Sequence, residues 1–310
     1  MIATERVVTG ALESRSSGAL VGTQQRRILC ATDLSTRSVG ALRAAAALVE
    51  RLDGQLVLLH VLAKRSPGGA EMLARGQLRE QLHSAGLVLE SAPVLAVREG
   101  DPAKTIAAVA REVRADLIVL GAQRKRALAA LTGTTAERVA SSTRSPVLIV
   151  RSDGTLRYDR VVVAADLSPA LEDVLRVADH WNFLDRAPVS IVHGFQSPYQ
   201  GPRYAEGYDV ASARKYIARW KKIARAQLLS KVTAAGLDAT RFEMRIEEKR
   251  PLRVVRRALR FATPSLLVLG SSGHTFMSRM VRGSLANDAL LSLDCDVLMC
   301  GAKGPRRMLH

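Results

Sequence analysis

The chain repeats itself, and the repeat restricts the fold more than any other feature. The segment "RRILCATDLSTRSVGALRAAAALVERLDGQLVLLHVL", from Arg26, matches "DRVVVAADLSPALEDVLRVADHWNFLDRAPVSIVHGF", from Asp159. Asp33 falls on Asp166 and His60 on His193, both at an offset of 133. Further along, "ADLIVLGA" matches "PSLLVLGS" and "SPVLIV" matches "CDVLMC", at an offset of 149 to 150. Self-similarity of this kind means one structural unit built twice. The second copy therefore carries about 16 extra residues between His193 and Gly270, expected in the Gly-, Pro- and Tyr-rich stretch "QSPYQGPRYAEGYD". The boundaries follow: an N-terminal extension over residues 1–25, a first domain over 26–152, a second over 153–303, and a basic tail over 304–310. "RSDGTLRYD", residues 151–159, reads as the linker.

Each copy alternates short apolar strands with helices. The strands are runs of Val, Ile and Leu without polar alternation, as expected of a parallel sheet buried on both faces. Five strands per copy, alternating with helices, predict α/β architecture: two tandem open doubly wound domains, each a five-stranded parallel sheet flanked by helices. The first helix of each copy has candidate caps in Ser35 and Ser168, with Pro169 at the first helical position. Residues 253–261, "RVVRRALRF", place basic and apolar residues on opposite faces at helical spacing, which reads as a solvated basic face over a core-facing stripe.

Composition narrows the function classes. Three cysteines, Cys30, Cys295 and Cys300, have neither the CxxC nor the Cys/His spacing of a zinc site, and they suggest no disulfide framework. Cys30 and Cys300 fall in predicted strands and read as small buried hydrophobes in a reduced, cytoplasmic protein. No apolar run reaches the length of a membrane span, and residues 1–25 lack the apolar core of a signal peptide. The formal net charge is +17. It divides almost evenly, +8 over residues 26–152 and +7 over 153–303, with no basic arm and no aromatic residues interleaved along one. Sequence-specific nucleic-acid binding is not expected from that division; weak, salt-dependent attraction to polyanions is.

One loop carries recognisable chemistry. "GSSGHTFMSRMVRGS" begins at Gly270, directly after the apolar "SLLVL", and ends at Ser284 before the predicted helix "LANDALL". Open parallel sheets bind ligands beyond the carboxyl ends of their strands. Gly270, Gly273 and Gly283 lack a Cβ and let backbone N–H groups approach an anion, and a helix start adds free N–H groups and partial positive charge. Ser284 contributes a hydroxyl donor. The chemistry suits a phosphate chain.

The pattern G-x2-G-x9-G-S after a fourth strand, together with "VAADLS" ending the first strand, resembles the universal stress protein family. Both copies resemble it over essentially their whole length, as a tandem member would. The resemblance implies ATP as ligand, with or without Mg2+, a stress-related regulatory role, little or no true enzyme activity, and self-association into a dimer. It also implies the site: Asp166 near the adenine or ribose; Gly194, whose backbone reads the adenine edge; Leu269, Gly270, Ser271 and Gly273 in the first half of the phosphate loop; and Gly283, Ser284 and Leu285 in the second. Ala286 departs from the family pattern, where Ser or Thr is common.

The first copy departs further. Asp33 and the pair Gly133–Thr134 survive, but Arg124 replaces the second glycine and only eight residues separate it from Gly133. A side chain stands where phosphate would meet backbone, so this loop is expected not to hold ATP in the family manner. Asp33 and Asp166 also have a plain structural role open to them, organising the turn after the strand, and His60 and His193 read as strand-terminal histidines bonded within the fold. Two other functions stay open: an interaction scaffold of this fold that needs no nucleotide, or a slow ATP-hydrolysing enzyme. No Walker loop is present, and His274 is the one residue of the glycine loop able to transfer protons near neutral pH. The expected partners are a nucleotide, a second copy of the chain and an unnamed protein, not a membrane.

Overall fold

The computed structural model describes residues 25–122, 134–198, 210–270 and 293–301. The chain divides between Leu156 and Arg157 into two compact units. The N-terminal unit contains β1 (Arg27–Thr32), α1 (Ser38–Arg51), β2 (Gln55–Leu62), α2 (Ala70–Ser84), β3 (Val94–Glu99), α3 (Pro102–Glu112), β4 (Leu117–Gly121), α4 (Thr135–Ser142) and β5 (Val147–Val150). Its strands lie in the order β3-β2-β1-β4-β5, with parallel pairing of β1 to β2 and β4, of β2 to β3, and of β4 to β5. The second unit contains β6 (Arg160–Ala164), α5 (Ala170–His180), β7 (Val189–Phe195), α6 (Val210–Ala234), β8 (Phe242–Glu248), α7 (Pro251–Leu259), β9 (Ser265–Gly270) and β10 (Asp296–Cys300). The order β8-β7-β6-β9-β10 repeats the first, again parallel. The predicted doubly wound, five-stranded parallel architecture is what each unit adopts.

The central strands are apolar because helices cover both faces. Leu117, Ile118 and Val119 in β4, and Leu266, Leu267 and Val268 in β9, have no exposed surface. Helix α1 turns Ala41, Ala44, Ala45 and Leu48 inward, and the small residues bring its backbone close to the sheet. Each fully buried Leu or Val is worth roughly 1.5–3 kcal/mol as an upper estimate. Cys30 and Cys300 are part of this core, and burial pushes the Cys30 thiol up to about 12 and raises Cys300 as well. Cys295 is buried and forms no disulfide. Among the described residues no three His, Cys, Asp or Glu side chains gather as metal ligands, and no described helix is long and apolar enough to cross a membrane.

Two expectations about helix starts are corrected. Neither Ser35 nor Ser168 caps its helix through the side chain. The Ser35 hydroxyl donates to Asp33 Oδ1 at 2.6 Å, while its carbonyl accepts from Ser38 N at 3.1 Å. The Ser168 amide donates to Asp166 Oδ1, and Leu171 N and Glu172 N are taken by the carbonyls of Ser168 and Pro169. In both copies the preceding aspartate accepts from the serine amide and the first helical turn closes on backbone carbonyls, while the Ser168 hydroxyl has no partner among the described residues. Glu172 and Asp173 then complement the helix dipole of α5.

The surplus of the second copy is partly helix. Gly86 (φ +69) and Gly236 (φ +83) close α2 and α6 in the left-handed conformation at an offset of 150, so the surplus lies before them. Helix α6 has 25 residues against 15 in α2, and the added turns are at its start. Of the Gly/Pro/Tyr stretch in which the sequence places the surplus, residues 199–209 lie outside the described residues.

Candidate functional site

From β6 the chain of the second unit moves outward to β7 and β8, then returns to lay β9 on the other side of β6. The reversal makes β6 and β9 a topological switch point, the place where open parallel sheets bind ligands. Register fixes what lies at its carboxyl edge. Ala164 pairs with Val192 of β7 and with Leu269 of β9, so the residues just beyond (Asp166, His193–Gly194 and Gly270) gather at one carboxyl edge. Residues 27 to 104 positions apart are brought together by strand order alone.

Asp166 is exposed and stands on a strained turn. Its Oδ1 accepts from Ser168 N at 3.0 Å, and the intervening Leu167 has φ +60. Leu34 repeats this in the first unit with φ +63, while Asp33 Oδ1 accepts from Ser35 N at 3.0 Å. A left-handed leucine is uncommon, and two in equivalent places mark a turn that the aspartate enforces. The Oδ2 of Asp166 has no partner among the described residues and is available to a ligand. Burial alone would raise Asp33, but the surrounding Ser35 and Ser38 groups outweigh it and hold this carboxyl below the usual range.

His193 Nδ1 donates to the Ala165 carbonyl at 2.8 Å, and His60 Nδ1 to Thr32 O at 2.9 Å. Each histidine therefore ties the end of the second strand to the end of the first, as a fold-internal group. Gly194 and Gly270 have packing reasons to be glycine. A Cβ at Gly194 would lie 2.8 Å from both Lys249 O and Pro251 Cα, the backbone that starts α7. At Gly270 it would press Val174 Cγ2 of α5 at 3.1 Å. A substitution at Gly194 would therefore report on packing before it reported on any ligand. Leu269 is buried in β9. Ser271, Gly273, Gly283, Ser284 and Leu285 lie outside the described residues, as do Arg124 and Gly133 of the first copy.

A strand-end aspartate beside the switch point is present in both units. The model of the universal stress protein family matches residues 25–151 and again 157–301. The chain belongs to this family. A universal stress protein from Archaeoglobus fulgidus DSM 4304 is similar over 91% of this chain and all of its own, at 20% identity and a TM-score of 0.58. A putative universal stress protein from Pseudomonas aeruginosa UCBPP-PA14 is similar over 89% of this chain and 93% of its own, at 16% identity and 0.57. At these identities the likeness is one of fold. A universal stress protein in complex with cAMP aligns with 42% of this chain and 98% of its own, at 24% identity and 0.36. No curated protein matches in sequence.

Within this universal stress protein the two copies differ in a way that sequence reasoning missed. In the N-terminal unit, Thr32, Ser38 and Gln81 form a buried network: Thr32 Oγ1 lies 2.7 Å from Ser38 Oγ and 2.8 Å from Gln81 Oε1, and Gln81 Nε2 donates to Ser38 Oγ and to Ser35 O. The matching positions in the second copy are Ala165, Leu171 and Lys231, and Lys231 reaches Glu172 at 3.5 Å instead. No local signal marks Gln81, which is 49 residues from Thr32. Thr134 is also engaged. Its hydroxyl accepts from Glu137 N at 3.2 Å while Glu137 Oε2 accepts from Thr134 N at 2.7 Å, a reciprocal capping box on α4. The matching pair in the second copy is Ser284 and Asn287, which lacks the carboxylate that closes such a box.

Proposed function

We propose that this chain is an ATP-binding regulatory protein of the stress response, holding one nucleotide in its second domain. One observation carries the reading. The exposed Asp166 carboxylate stands at the switch point opposite the start of a loop that keeps all three glycines, while the first copy of the same fold has Arg124 in place of one. Asp166 Oδ2 would accept from a ribose or adenine group, and the amides of Gly270 to Gly273 and of Gly283 and Ser284 would receive the phosphates. Mg2+, if it accompanies the nucleotide, would be held by phosphate and water more than by side chains. Self-association, a protein partner that reads the nucleotide state, and a cytoplasmic setting in which the three cysteines stay reduced belong to the same proposal.

Mass spectrometry of ligand released from freshly purified chain tests it. ATP or its hydrolysis product at about one equivalent per chain is the expected result. A chain that carries no nucleotide and takes none up favours the scaffold alternative. Sustained phosphate release under excess ATP, removed by changing His274, favours the enzyme.

A further inference from the structure

The even charge split between the two halves hides a local excess. Residues 210–261 carry 15 Lys and Arg against 4 Asp and Glu, whereas the rest of residues 153–303 carries a net −4. On α7, Arg253, Arg256 and Arg257 recur at i, i+3 and i+4, which puts them on one face, and Arg260 at the C-terminal cap continues the series at i+7. Val254, Val255 and Ala258 face the core, and all four arginines are exposed. The stripe is about 10 Å long at the helical rise. Among the described residues only Arg257 has an acidic partner, Glu247 at 3.4 Å. The equivalent helix α3 has only Lys104 and Arg111, with Glu112 beside them.

An exposed ring ends the stripe. Phe261 is 92% exposed and held at φ +67, while the Arg260 guanidinium lies 4.7 Å from its centroid. Burial does not account for a phenylalanine in a left-handed position on the surface. The residue after α3 in the same place, Arg114 (φ +52), shows that the backbone needs this conformation but not this side chain.

From these residues we infer a binding surface for single-stranded nucleic acid on α7, indifferent to base sequence. Guanidinium groups match phosphate oxygens two at a time, as an ammonium does not. Successive arginines at one helical turn track a flexible backbone, and the free face of Phe261 offers a platform for an unpaired base. A duplex or an acidic peptide would use the charges and leave the ring without a role.

Fluorescence anisotropy of the full chain with labelled 12-nucleotide oligo(U) and oligo(dT), across a range of salt, tests the inference. Micromolar binding at low salt is expected, alike for both probes. Its log–log salt slope should be about −3, since each phosphate contact on a single strand contributes about −0.7. The double variant Arg256→Glu, Arg260→Glu should lose at least tenfold and flatten the slope by about 1.4. Phe261→Gly, which suits the left-handed backbone, should lose roughly fivefold or more with the slope unchanged. The same charge reversal on α6, Lys215→Glu with Lys222→Glu, should cost less than threefold, with melting curves confirming that each variant folds. Equal losses from the α6 and α7 reversals, binding unaffected by Phe261→Gly, or displacement of the probe by a poly-glutamate peptide or phosphatidylserine vesicles more readily than by unlabelled oligonucleotide would each overturn it.

Discussion

Gly273→Arg is expected to abolish ATP binding while leaving the fold intact. The substitution installs in the second loop what the first already has at Arg124. In the proposed site the backbone at Gly273 meets phosphate, and a side chain there removes the close approach that glycine allows. The positive charge does not compensate, because amide donors must reach the anion at hydrogen-bond distance and a guanidinium on a stem holds it away. Ser284→Ala deletes one hydrogen bond to a charged group, roughly 1.5–3 kcal/mol, and should weaken binding about ten- to a hundredfold. Arg124→Gly should not create a site, since the first loop is also one residue short and the Thr134 hydroxyl is engaged in its capping box. Equilibrium dialysis with labelled ATP reads all three, and retention of binding by Gly273→Arg would sink the assignment of the loop.

Gly154→Ala should cost the N-terminal unit roughly 2–5 kcal/mol, from a left-handed position together with overpacking. Gly154 has φ +87, and a Cβ there would fall 2.0 Å from Gly40 O and 2.9 Å from Ala44 N and from Arg43 Cβ. A Cβ on Gly40 would in turn lie 2.4 Å from Ser152 O. The two glycines let the chain leaving β5 cross α1 in backbone contact before Leu156 enters the core at 5% exposure. None of these atoms is the free end of a flexible side chain, so the clash must move backbone. For a unit of this size the melting midpoint should fall by roughly 5–15 °C. Gly76→Ala is the opposite case: it sits on α2 with nothing within 4 Å, and the same change should stabilise by about 0.5–1 kcal/mol. Calorimetric melts that moved the same way for both would contradict the packing argument.

The fold was legible because the repeat could be checked against itself. Asp33 with Asp166, and the strand-end histidines, fixed equivalent positions, and runs of Val, Leu and Ile located the strands. The placement of Asp166 and Gly270 at one carboxyl edge was legible because both lie at strand ends, where sequence order gives direction. Three things were not legible. The caps assigned to Ser35 and Ser168 failed because the helices begin later, with Arg37 and Pro169 at the cap positions; the Ser35 hydroxyl bonds Asp33 instead, and the Ser168 hydroxyl has no partner among the described residues. The Thr32–Ser38–Gln81 network joins residues far apart in sequence and has no periodic signature. The arginine stripe on α7 was visible as an amphipathic helix, but summing charge over whole domains averaged it against acidic stretches elsewhere.

The two copies of one fold differ at the glycine loop, and the number of nucleotide sites per chain reads that difference. Isothermal titration of ATP into chain stripped of nucleotide should give one site per chain, lost in Gly273→Arg and unchanged in Arg124→Gly. Two equivalent sites per chain, or a single site that survives Gly273→Arg, would contradict the account.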